Sequence, residues 1–245
     1  ATAGGFDQAL AFGDRFGFSV AGIGDLDGDL VPDMVVGAPG SDDGADDDEA
    51  DYGAVYIVFL NTDGTVKATQ RISDTDGGWP NTPLNRLEDA DEFGSSVAGM
   101  GDFDLDGVRD IVVGAKGEDD GVNGNTRDFG AIWQVFLNVD GTVKGVAKMS
   151  NNTGGFGPSG PGQPEPVKQY DAFGSAVVSL GDGLDDEDGD GITDLDGDGI
   201  PDLAVSALGS DDGALDPTDQ DANLGAVWII LRNADGSTKA KQKIS

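Results

Sequence analysis

Three stretches of this chain repeat one grammar of carboxylates. The first places Asp25, Asp27, Asp29 and Asp33 within nine residues; the second, Asp102, Asp104, Asp106 and Asp110; the third, Asp194, Asp196, Asp198 and Asp202. Each time the acids fall at positions 1, 3, 5 and 9 of the stretch. Residues at positions 1, 3 and 5 of a tight loop point inward, so their oxygens converge. Hard oxygen donors gathered this way suit calcium, which takes roughly six to eight of them at flexible geometry. The carbonyl at position 7 is expected to join them, from Val31, Val108 and Ile200. Magnesium demands stricter octahedral geometry and keeps more water, so calcium is the favoured ion. Gly107 and Gly199 occupy position 6, where the chain must turn sharply. The first loop has Leu30 there and Gly28 two residues earlier, so its turn is expected to differ.

The third stretch is preceded by a second loop of the same grammar. Asp186, Asp188, Asp190, Ile192 and Asp194 occupy positions 1, 3, 5, 7 and 9, and Asp194 also opens the next loop. This predicts two adjacent ions sharing Asp194 and about four calcium ions in all. A solvated acidic spur holding only the later ion is the alternative. Pairs at Asp42 and Asp43, Asp119 and Asp120, and Asp211 and Asp212 recur without a ligand spacing, and read as solvated loops.

Composition narrows the rest. The 245 residues carry 14 basic and 47 acidic side chains, a net charge of -33, which repels nucleic-acid phosphate. No cysteine is present, so there is no disulfide framework and no thiolate chemistry. No histidine is present either, which removes the commonest general base. Paired carboxylates could serve a glycosidase, but metal binding already accounts for their spacing. No enzyme is therefore expected. No apolar run approaches the length of a membrane-spanning helix.

The elements that must position the loops are legible as repeats. Phe16-Gly17, Phe93-Gly94 and Phe173-Gly174 mark the same point in each unit, followed by a small, partly apolar run and then the acidic loop. A second run follows, from Met34, Ile111 and Leu203. A third, β-branched and aromatic, runs 55–60, 132–137 and 227–231, and its apolar residues on both faces require cover on both. Asp63-Gly64, Asp140-Gly141 and Asp235-Gly236 then suit a tight hairpin. A polar, Lys- and Gln-containing fourth strand suits a solvent-facing edge. The chain thus reads as all-β, with three four-stranded antiparallel blades of β-propeller type. They close or stack through other chains or a longer parent chain. The units are 1–73, 74–150 and 151–245, the last with the inserted calcium loop.

Phe-Gly, the acidic loop and Gly37-Ala38-Pro39 together resemble the FG-GAP repeat of integrin α-subunit propellers and their bacterial relatives. The tripeptide decays to Gly114-Ala115-Lys116 and Ser206-Ala207-Leu208. The resemblance implies one blade per repeat, calcium in each loop and about seven blades in a closed ring, against three here. Millimolar external calcium suits such sites. The expectation is therefore a calcium-stabilised structural or adhesion protein of the cell exterior, bacterial in setting. The chain is cut at one phase of the repeat, with Gly-Gly-Phe6 matching Gly-Gly-Trp79 and Gly-Gly-Phe156, which favours a homo-oligomeric ring or fibre. The alternative is a protein- or glycan-binding fragment of a larger surface protein. Trp79 is the candidate for stacking on a sugar, because Trp133 and Trp228 lie in the core strand.

Overall fold

The structure, a computed structural model, describes residues 3–42, 51–119, 128–156, 167–181, 194–211, 224–233 and 235–245. They form three sheets of four strands each. The first contains β1 (Ser19–Gly24), β2 (Asp33–Ala38), β3 (Ala54–Leu60) and β4 (Val66–Ile72). The second contains β5 (Phe93–Gly101), β6 (Asp110–Ala115), β7 (Ala131–Leu137) and β8 (Val143–Ser150). The third contains β9 (Phe173–Leu180), β10 (Asp202–Ala207), β11 (Ala226–Arg232) and β12 (Thr238–Ile244). Strand order follows sequence order in every sheet, and all pairings are antiparallel. The architecture is the all-β stack of propeller-type blades that the repeats predict.

The alternation of side chains along a strand decides how the sheets stack. Val55, Ile57 and Phe59 of β3 pack with Ile111, Val113, Trp133 and Val135 of the second sheet. The other face of the second sheet supplies Val112 and Ile132, which pack with Leu203, Val205, Trp228 and Ile230 of the third. The middle sheet is therefore covered on both sides, which accounts for the burial of both faces of its third strand, Gln134 included. Full burial of one such aliphatic side chain is worth about 1.5–3 kcal/mol.

The Phe-Gly element is the clasp between sheets. The Phe93 N–H donates to the Tyr52 carbonyl at 3.1 Å, and the Phe173 N–H to that of Phe129 at 3.0 Å. The Ser19 hydroxyl donates to the Gly94 carbonyl at 2.8 Å, and that of Ser96 to Gly174 at 2.7 Å. Facing each serine across its ladder is a glycine, Gly37 or Gly114. A Cβ on either would lie 2.1 Å from the next sheet's carbonyl oxygen. The first residue of the Gly-Ala-Pro tripeptide is thus fixed by close approach of a neighbouring backbone. In the third sheet the equivalent positions hold Ala176 and Ser206, and the Ser206 hydroxyl is buried without a hydrogen-bond partner.

Each blade carries an aromatic triad. Phe6 packs on Phe16 and Tyr56, Trp79 on Phe93 and Trp133, and Phe156 on Phe173 and Trp228. Trp79 is only 7% exposed, and its indole N–H donates to the Asn85 carbonyl at 2.6 Å. This corrects the reading of Trp79 as a sugar-stacking residue, since its ring is packed inside the protein. The hairpins also differ from the tight form expected. Gly64, Gly141 and Gly236 are left-handed while the aspartates before them are not, and the ladder shifts register at Phe59/Leu60. A turn followed by a glycine bulge accounts for both features.

Candidate metal centres

The three acidic loops connect the first and second strands of their sheets, and each is built the same way. Position 1 organises the loop from within. Asp25 Oδ1 accepts the N–H groups of Gly28 at 2.8 Å and Asp29 at 3.0 Å, and Oδ2 accepts that of Leu30 at 2.8 Å. Asp102 accepts those of Asp106 at 2.9 Å and Gly107 at 2.7 Å. Asp194 accepts those of Gly197, Asp198 and Gly199. Turning successive N–H groups toward one carboxylate requires left-handed backbone at positions 4 and 6. Gly28 and Leu30 have φ of 77° and 69°, Leu105 and Gly107 61° and 89°, and Gly197 and Gly199 79° and 81°. The first loop therefore turns as the others do, which corrects the expectation drawn from Leu30. Sequence alone showed one glycine per loop in the first two copies. It did not show that a leucine would take the other strained position, at about 1–2 kcal/mol.

Position 9 ties the loop to the sheet. Asp33 Oδ2 accepts the Leu26 N–H at 3.0 Å, while Oδ1 accepts that of Leu60 at 3.0 Å. Asp110 does the same with Phe103 at 3.1 Å and Leu137 at 3.0 Å, and Asp202 with Leu195 at 3.2 Å and Arg232 at 3.0 Å. All three side chains are buried. Desolvation pushes the Asp110 carboxyl up to about 7, opposed by the Leu137 N–H and assisted by Asp104. Burial raises Asp33 and Asp202 as well.

Position 5 accepts the N–H of position 7 through Oδ1: Asp29 from Val31 at 2.8 Å, Asp106 from Val108 at 2.8 Å, and Asp198 from Ile200 at 3.1 Å. Position 3 is different. Oδ1 of Asp27 and of Asp104 is buried and finds no hydrogen-bond partner. The outer oxygens of positions 3 and 5 are held by a lysine that the sequence reading left on a solvent-facing edge. Lys67 Nζ lies 2.6 Å from Asp27 Oδ2 and 2.5 Å from Asp29 Oδ2. Lys144 lies 2.7 Å from Asp104 and 2.5 Å from Asp106, and Lys239 lies 2.7 Å from Asp196 and 2.5 Å from Asp198. Hydrogen bonds to these carboxylates raise each ammonium's pKa.

Oxygens of Asp25, Asp27 and Asp29 lie within 4.8 Å of one another, as do those of Asp102, Asp104 and Asp110, and of Asp194, Asp196 and Asp202. Two oxygens on one calcium can be no more than about 5 Å apart, because each sits about 2.3–2.6 Å from the ion. The clusters meet that limit, the donors are all oxygen, and two of the loops keep an orphaned carboxylate oxygen. The residues therefore fit calcium. The remaining acid of each quartet, Asp33, Asp106 or Asp198, stands outside its cluster. Asp186, Asp188, Asp190 and Ile192 lie outside the described residues, as do Asp43, Asp120 and Asp212.

A second repeated acid escaped the sequence reading. Asp14, Asp91 and Asp171 each precede a Phe-Gly pair by two residues and are buried. Their carboxylates accept the N–H groups of Ala11 at 2.7 Å, Glu88 at 2.7 Å and Lys168 at 2.8 Å. Their carbonyls accept those of Gly40, Gly117 and Gly209. The signal was present, an aspartate at one fixed offset in all three copies.

Fold and loops together define a class: stacked four-stranded antiparallel blades, each with an acidic loop between its first two strands whose oxygens could hold a metal ion. No family model matches the chain. It is similar to integrin alpha-E of Homo sapiens, 40% identical over 105 residues, which is 42% of this chain and 8% of that protein. It is also similar to integrin alpha-V of Gallus gallus, 39% identical over 107 residues, and to integrin alpha-M of Mus musculus, 32% identical over 116 residues. These cover 42% and 45% of this chain and 9% of each relative. The chain thus spans less than a tenth of the length of the curated relatives it matches. The FG-GAP-type resemblance carried by its motifs is a resemblance to integrin α subunits.

Proposed function

We propose that this chain is a calcium-stabilised structural and adhesion module of the cell exterior, acting by binding and not by catalysis. The observation that carries the reading is the buried, unpartnered Oδ1 of Asp27 and of Asp104, each in a loop whose other carboxylate oxygens are already hydrogen-bonded or ion-paired. Leaving a buried carboxylate oxygen unpaired is costly, and a cation supplies its partner. The blades are 1–73, 74–150 and 151–245. Asp25, Asp27, Asp29, Asp33 and the Val31 carbonyl would hold the first ion. Asp102, Asp104, Asp106, Asp110 and Val108 would hold the second, and Asp194, Asp196, Asp198, Asp202 and Ile200 the third. Asp186, Asp188, Asp190, Ile192 and the shared Asp194 would hold a fourth. When bound, calcium supplies positive charge that offsets repulsion among the clustered carboxylates, and its binding free energy becomes folding free energy. An external, bacterial setting with millimolar calcium fits these sites.

The test is calorimetric titration of chelated protein, with melting followed in both states. About four ions and a large rise in melting temperature are expected. Asp188→Asn with Asp190→Asn should remove one ion. No bound ion, or no stabilisation, would sink the proposal.

Self-association is the second part of the reading, with a ring or a fibre as the product. Its support lies in the two outer faces of the stack. Val20 is 59% exposed, whereas its counterpart Val97, covered by a neighbouring sheet, is 7% exposed. At the other end Val178 and Val227 are exposed beside Ala176, Ala204 and Ser206. These faces correspond in position to the two sides of the contact made twice inside the chain, with Ser206 in place of the glycine found at Gly37 and Gly114, and a second copy is the occupant proposed for them. Light scattering and electron microscopy in calcium test this, and a stable monomer would refute it. A protein or glycan ligand is the partner an adhesion module would hold.

A further inference from the structure

Each of the three repeated loops has a lysine that belongs to another strand. Lys67, Lys144 and Lys239 each stand three residues after the hairpin glycine, as the second residue of β4, β8 and β12. In all three blades the ammonium reaches the same two loop positions and binds the same atoms, the Oδ2 oxygens of positions 3 and 5. The chain has 47 acidic and only 14 basic residues, so most carboxylates have no basic partner to claim. Placing a lysine on the same pair three times is a specific arrangement.

The division of oxygens shows what the arrangement does. On Asp27 and Asp104 the outer oxygen is taken by the lysine and the inner one is left unpartnered. A metal in the loop and the lysine outside it would therefore use different oxygens of one carboxylate. The ammonium draws charge from the donors that the ion needs, and like charges sharing one carboxylate repel. At these partly exposed positions, 37–40% accessible for the lysine side chains, such repulsion is worth about tenfold in affinity. When the ion leaves, the lysine remains and holds positions 3 and 5 of the loop to β4, β8 or β12.

We propose that Lys67, Lys144 and Lys239 are resident counter-cations that weaken calcium binding at their own loops and hold those loops in place when calcium is absent. This rests on the reading of the loops as calcium sites. It adds that affinity is set from outside the ligand sequence, by one residue on the edge strand. A loop so equipped releases calcium without the blade unravelling.

The test uses the full chain with Lys67→Met, Lys144→Met and Lys239→Met, singly so that only one loop changes at a time. Lys→Arg at the same positions keeps the charge. Calcium is titrated calorimetrically at fixed ionic strength, and melting is followed in excess chelator. Each Met variant should bind one ion about tenfold more tightly than the unaltered protein, with the number of ions unchanged. Each should also melt at a lower temperature in chelator, and the Arg variants should stay near the unaltered values. Weaker or unchanged calcium affinity in the Met variants would overturn the competing role and leave the lysines as simple supports. Should the unaltered protein bind no calcium, the calcium reading fails by itself. The chelator melts would still test the lysines, and an unchanged melting temperature in the Met variants would refute their role in the ion-free state.

Discussion

The hydroxyl of Ser96 donates to the carbonyl oxygen of Gly174 at 2.7 Å, across the boundary between the second and third sheets. The approach is close because Gly114, opposite Ser96, has no side chain; its absent Cβ would lie 2.1 Å from that same oxygen. Ser19, Gly37 and Gly94 repeat the arrangement between the first and second sheets. Gly114→Ala should therefore force the sheets apart and cost about 1–3 kcal/mol or more, because a backbone carbonyl cannot rotate away as a side chain can. Chemical denaturation measures this. Ser96→Ala, which only removes the donor, should cost about 1 kcal/mol.

The third sheet inverts that pair, with Ala176 and Ser206 at the equivalent positions. A copy docking on this face meets a Cβ where the inner interfaces have none. Ala176→Ser with Ser206→Gly should recreate the inner contact and strengthen association between copies, read by sedimentation as a shift to larger species at lower concentration. No shift would count against association of copies through this face.

Leu30 and Leu105 hold left-handed backbone and are 90% and 59% exposed, so they carry strain without much compensating burial. Glycine at either position releases about 1–2 kcal/mol of strain, against about 0.4–1 kcal/mol of added unfolded-state entropy. Leu30→Gly and Leu105→Gly should each stabilise the protein slightly, by about 0.5–1 kcal/mol, in thermal or denaturant melts. A loss of stability would mean that the leucines make contacts worth more than the strain.

Asp110 gives the ion-free protein a distinctive pH response. Its folded-state value of about 7 lies above the ordinary aspartate value, so the folded protein binds the proton more tightly than the unfolded chain does. The stability this contributes is complete below about pH 4 and is lost as pH rises toward 7. Calcium held in the loop as proposed would require the carboxylate form and reverse the trend. In chelator the melting temperature should fall between pH 4 and 7, with part of the fall removed by Asp110→Asn. In calcium it should rise over the same interval.

Trp79 closes the aromatic triad of the second blade, with ring centroids 5.0 Å from Phe93 and 5.2 Å from Trp133. Trp79→Ala should cost about 3–5 kcal/mol, as truncation of a buried aromatic does. Added glycans should leave its fluorescence unchanged, because the ring is buried.

Local chemistry explains why so much was legible. The acidic spacing, the Phe-Gly marks and the β-branched third runs all act within a few residues, so repeats at fixed offsets expose the strands, their order and the loops. Even the buried Asp14, Asp91 and Asp171 obey a fixed offset, although nothing in one copy distinguishes them from solvated acids. Trp79 misled because an aromatic in a Gly- and Pro-rich linker looks exposed until the triad that receives it is assembled.

The sequence by itself determined which carboxylates share a loop and which strands flank it, because ligand spacing and alternation are properties of contiguous residues. Only the tertiary structure decided what meets those loops from afar. Lys67 reaches Asp27 across 40 residues, Ser19 reaches Gly94 across 75, and Leu60 caps Asp33 across 27. Those contacts depend on strand register and sheet stacking, which arise when side chains far apart in the chain compete to leave water, and no local spacing encodes the result.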